Sequence, residues 1–93
     1  MIAPTDVPTH AARIAARVVD GKALIVVLDD KQLHTLNGVG TRVWELCDGR
    51  SVAAIAEALA SEYAVDASAA LADVQRFVAE LRATGALELG APA

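Results

Sequence analysis

Cysteine occurs once, as Cys47, so the chain cannot close an internal disulfide or build a cysteine-based zinc cage. Aromatic residues are nearly as scarce. Trp44, Tyr63 and Phe77 make up 3% of a chain that is 55% hydrophobic, so Ala, Val, Leu and Ile must form the core. Histidine appears only as His10 and His34, far apart and with no partner at metal-ligand spacing. Basic residues are outnumbered, with 8 Lys and Arg against 12 Asp and Glu and a net charge of −4. That balance disfavours a nucleic-acid surface. No apolar run approaches the ~20 residues of a membrane span, and Met1-Ile2-Ala3-Pro4-Thr5-Asp6 has neither the basic nor the apolar region of a secretory signal. A cytoplasmic protein with no membrane partner is expected.

The 93 residues suffice for one domain, with a thin core that a homodimer or a bound partner would help to complete. Residues 1–12, with Pro4 and Pro8 among small and polar residues, read as a flexible arm, and 13–89 as a single domain. Ile14, Ala16 and Val18 alternate with Arg13, Ala15 and Arg17, the period of a half-buried strand. Asp20-Gly21 then signals a two-residue hairpin. The return strand Ala23-Leu24-Ile25-Val26-Val27-Leu28 is apolar on both faces, so both require a cover. Asp29-Asp30-Lys31 turns into a third strand, Gln32 to Leu36.

Asn37, Ser51 and Asp66 are placed to cap three helices, over about 38–47, 52–63 and 67–84. Gly49 and Gly85 follow the first and third, where left-handed residues are favoured. The apolar stripes are Val39, Val43, Leu46 and Cys47, then Val52, Ile55, Ala56, Leu59 and Tyr63, then Leu71, Val74, Phe77, Val78 and Leu81. The last stripe is wide enough to face both a core and a groove. Leu87-Glu88-Leu89 is either a short strand or a tail. The fold class is therefore α+β, a small three-stranded antiparallel sheet followed by three helices, winged helix-turn-helix-like.

Nothing assembles an active site. Asn37-Gly38-Val39-Gly40 leads into a helix but lacks the lysine and third glycine of a phosphate loop. Cys47 lies on an apolar stripe as an inert thiol, and Asp29-Asp30 beside Lys31 is a solvated turn. No enzyme activity, cofactor or metal is expected.

Thr35-Leu36-Asn37, the corner after it, Val43-Trp44-Glu45-Leu46-Cys47-Asp48-Gly49, Ser51 to Leu59, and Asp73 to Leu81 up to Gly85-Ala86-Leu87 together resemble the PqqD-like family over about residues 14–89. The resemblance implies a peptide-binding chaperone for ribosomally synthesised precursors, in which the leader segment adds as a strand beside strand 3 and is flanked by helix 3. The leader is then presented to a modifying enzyme, a radical S-adenosylmethionine enzyme in the pyrroloquinoline quinone (PQQ) case. Asp29-Asp30-Lys31 stands where PQQ-pathway members carry Pro-Glu. The groove would be walled on one side by Gln32, Leu33, His34, Thr35 and Leu36 and on the other by Leu71, Val74, Gln75, Val78 and Arg82. Either Leu33 and Thr35 or His34 and Leu36 face inward, a matter of register. The alternative reading is a winged-helix DNA-binding regulator, which the acidic charge disfavours.

Overall fold

The computed structural model describes residues 2–90, and its first hairpin turns at Asp20-Gly21 with φ of 53° and 76°. Both values are left-handed, as a two-residue turn that matches strand twist requires. The elements in chain order are β1 (Val7–His10), β2 (Ile14–Val19), β3 (Lys22–Val27), β4 (Gln32–Thr35), α1 (Gly38–Leu46), α2 (Val52–Tyr63), α3 (Ala67–Thr84) and β5 (Leu87–Gly90). β2, β3 and β4 form the expected antiparallel sheet, in that spatial order, and three helices follow it.

The expected caps are present. The Asn37 side chain accepts from Gly40 N–H at 2.8 Å, Ser51 from Ala54 N–H at 3.1 Å, and Asp66 from Ser68 and Ala69 N–H. Gly85 ends α3 with φ 88°. The core combines Ala23, Ile25 and Val27 of β3 with Leu46, Val52, Ile55, Val74 and Val78 of the helices and Leu87 of β5. One buried polar side chain joins strand to helix. Thr41 Oγ1 accepts from Ala23 N–H at 2.7 Å and donates to the Leu36 carbonyl at 3.4 Å. It occupies the place where the β3–β4 ladder gives way to α1.

Residues 7–10, expected within a flexible arm, instead form β1, paired antiparallel with β5. Leu87-Glu88-Leu89 is thus strand rather than tail. Ile2 and Pro8 are buried. The carbonyls of Pro4 and Asp6 accept from Ala53 and Val52 N–H at 2.9 and 2.8 Å, satisfying the free donors at the start of α2. His10 stacks on Trp44 with centroids 3.7 Å apart. No local pattern announces this strap, because its partners lie some 40 to 80 positions away and Pro8 interrupts the strand signal.

Two further departures concern burial. β2 was expected to be half-buried, yet only Ile14 is partly covered, because the helices reach under β3 and stop short of β2. Val39 and Tyr63 lie off their stripes and are exposed.

Deleting residues 1–10 removes the burial of Ile2, about 1.5–3 kcal/mol, and two N-terminal helix bonds at about 1 kcal/mol each. Urea denaturation is expected to show a loss of about 3–5 kcal/mol.

Candidate functional site

The three-stranded sheet has two unpaired edges, and they differ in chemistry. The β2 edge carries Arg13 and Arg17, with Arg13 held to Asp29 at 2.8 Å. Charged side chains of this kind keep an edge from recruiting other strands. The β4 edge, Gln32-Leu33-His34-Thr35, carries no carboxylate, lysine or arginine. Leu36 N–H bonds to the Ala23 carbonyl in the β3–β4 register. Alternation in an antiparallel ladder therefore turns the N–H and C=O groups of Leu33 and Thr35 away from β3, toward the open side. Among the described residues no other strand pairs there, since β5 is engaged with β1.

The same register settles which side chains face which way. Gln32 and His34 stand opposite Val27 and Ile25, on the inner, helix-covered face, and Leu36 continues that face into the core. Leu33 and Thr35 stand opposite Val26 and Leu24 on the outer face, and Leu33 is 61% exposed. Gln32 and His34 thus share the inner face with Leu36, while Leu33 and Thr35 share the outer face and turn their backbone groups to the open edge.

The expected helix wall requires correction. Val74 and Val78 are fully buried core residues. Gln75 Nε2 donates to the Ile2 carbonyl at 2.9 Å, so the chain's own N-terminal strap occupies that flank of α3. Leu71 sits in a depression with Ala53, Ala56 and Glu57, against α2. Arg82 lies near the β3–β4 turn, beside Asp29 and Asp30. The α3 residues that meet the corner after β4 are Asp73, Arg76 and Phe77, which line a pocket of ≈ 140 Å³ with Asn37, Val39, Gly40, Val43 and Leu59. Helical spacing continues this face to Glu80 and Thr84. Phe77 is the outer member of the wide α3 stripe and packs, partly buried, against the core. The helical rotation could not be read because Leu71 and Phe77 flank the stripe symmetrically. A signal did exist in Gly40, a glycine inside the first turn of a helix. A Cβ built there would meet the Phe77 ring at 2.8 Å, so the helices approach closely at this point.

The pocket is apolar at its floor and ionic at its rim, where Arg76 pairs with Asp73 at 3.2 Å. Both charges are well exposed, so the pair adds little stability. Nearby, Arg42 forms a bidentate pair with Glu62 at 2.7 and 2.8 Å, tying α1 to α2. Hydrogen bonding to Arg42 holds the Glu62 carboxyl below the usual carboxylate range. Cys47 is buried, and desolvation pushes its thiol up to about 12. Among the described residues no group of His, Cys, Asp and Glu is placed to hold a metal ion, and no helix is long and apolar enough to cross a membrane.

The family model described as Coenzyme PQQ synthesis protein D (PqqD) matches residues 24–87, more than half of the chain. The chain belongs to this family. The matched segment runs from β3 through the corner at Asn37 to β5, and so contains the open edge and the pocket. Among solved structures, TbiB1 in complex with the TbiA(beta) leader peptide is 25% identical, with a TM-score of 0.83 over 89% of this chain and 98% of that one. Lasso peptide synthetase B1 complexed with the leader peptide is 23% identical, with a TM-score of 0.80 over 88% and 98%. The PqqD truncation of Methylobacterium extorquens PqqCD, a functional and stand-alone recognition element for ribosomally synthesised and post-translationally modified peptides, is 24% identical, with a TM-score of 0.79 over 95% of each chain. The last two share the fold. No curated protein sequence matches the chain significantly.

Gly40→Ala is expected to push the Phe77 ring into the pocket while changing stability by less than about 1 kcal/mol, since helix propensity offsets the crowding. Ring-current shifts of Val39 and Val43 methyls check this. Native Cys47 is expected to react with a thiol reagent at pH 8 at least about a hundredfold more slowly than free cysteine.

Proposed function

We propose that this PqqD-family chain is a non-catalytic recognition module. It captures the leader segment of a ribosomally synthesised precursor by strand addition at β4 and presents it to a modifying enzyme. The observation that carries the reading is the neutral open edge of β4, with the outward N–H and C=O groups of Leu33 and Thr35. Strand addition supplies affinity through backbone bonds and selectivity through pockets for alternate side chains. Here the guest's inward side chains meet His34 of β4 and the Phe77 face of α3, at the pocket beside Asn37. TbiB1 and lasso peptide synthetase B1 were each solved with a leader peptide bound, which supports the same role for this chain.

Two apolar anchors at roughly 1.5–3 kcal/mol each, with several edge hydrogen bonds at about 1 kcal/mol each, outweigh the cost of ordering a leader and allow a micromolar complex. The partners are the precursor and its modifying enzyme, a radical S-adenosylmethionine enzyme where the pathway is of PQQ type. The place of action is the cytoplasm, where precursors are made. A DNA-binding role has no support, since α3 exposes acidic Asp73 and Glu80 among its arginines and the chain is acidic overall.

Titrating the chain with the leader of the precursor encoded beside it is expected to shift amide signals over 32–37 and 73–84. Amides that stay still would end the reading. Thr35→Pro removes one outward donor from an edge strand, where proline is tolerated. It is expected to weaken leader binding at least about tenfold, 1.4 kcal/mol, while circular dichroism stays unchanged.

A further inference from the structure

The outer face of the three-stranded sheet is an apolar surface that the helices do not cover. Cross-strand register puts Arg17 and Val19 of β2, Lys22, Leu24 and Val26 of β3, and Leu33 of β4 on it. Leu28 extends it, because its N–H bonds to the Arg13 carbonyl at 3.1 Å and so continues the ladder. Val19, Leu28 and Leu33 are 44%, 45% and 61% exposed. An antiparallel sheet with one wet face normally alternates apolar with polar residues, and β3 does not. The charges on the face itself are Arg17 and Lys22, while at its borders Arg13 is paired with Asp29 and the flanking turns carry Asp20 and Asp30.

We propose that this face docks the enzyme that modifies the precursor, through an apolar ridge flanked by carboxylates, and that it does so better once a leader is bound. The proposal rests on the leader-binding reading. Two arguments select this occupant. A second copy would set Arg17 and Lys22 against the same two cations. Finally, the face ends at Leu33, on the strand that receives the leader. A guest strand widens it to about 19 Å, and the guest's outward side chains lie in the same plane as Leu33, Val26 and Ala15. The inner face of β3, by contrast, is buried in the core. A partner seated outside therefore touches domain and leader together, which couples the two affinities reciprocally.

The test uses the full chain, a fluorescent leader peptide, and the purified modifying enzyme encoded beside the precursor. Wild-type chain loaded with leader is expected to bind the enzyme at least fivefold tighter than the free chain. Leu28→Ser and the double variant Arg17→Glu, Lys22→Glu are expected to bind leader within threefold of wild type and to bind the enzyme at least tenfold more weakly. The double variant's loss should grow at low salt. Enzyme affinity unchanged by leader, or unchanged in the variants, overturns the proposal while leaving leader recognition intact. A folded Leu28→Ser chain that no longer binds leader overturns it too, by placing the outer face in the leader site. A wild-type chain that fails to bind leader removes both readings. Sedimentation equilibrium showing a dimer of the free chain assigns the face to a second copy instead.

Discussion

A sheet of three strands has two edges and two faces, and three helices packed beneath it cover only one face. Everything distinctive in this molecule follows from how the remaining surfaces are treated. The inner face carries Ala23, Ile25 and Val27 into the core. One edge is guarded by Arg13 and Arg17, and the other is left without charge. The backbone groups that a longer sheet would satisfy internally are thus available on one side only.

The corner after β4 makes that edge usable. Asn37 ends the strand by capping α1, and Thr41 takes over the hydrogen bonds of Ala23 and Leu36 where the ladder stops. Gly40 then lets Phe77 of α3 approach α1 closely. A strand end, a helix start and the flank of a third helix meet in a space of a few ångströms. A pocket results there, lined from α3 by Asp73, Arg76 and Phe77. The N-terminal strap completes the arrangement from the far side, since its bonds to α2 and to Gln75 secure the flank of α3 opposite the open edge.

Much of this was legible locally. The hairpin at Asp20-Gly21, the caps at Asn37, Ser51 and Asp66, and the stop at Gly85 each depend on residues within four positions of one another, and all appear as read. The family pattern was legible for the same reason, since it is an ordered string of such local features. The candidate site was less so. Leu33 and His34 are neighbours in a strand, and a single step of register exchanges their faces. Leu71 and Phe77 flank one helical stripe, and only the neighbouring elements decide which flank meets β4.

The sequence by itself determined the three strands of the central sheet and the three helices, their order, the aliphatic core and the neutral character of the third strand of the sheet, because those properties arise from short-range backbone preference and periodicity. Tertiary structure alone decided the pairing of β1 with β5, the outward direction of Leu33, and the rotation of α3 that sets Phe77 against Gly40 and Gln75 against Ile2. Those depend on contacts between residues tens of positions apart, and such contacts form only when the whole chain has chosen how its layers stack.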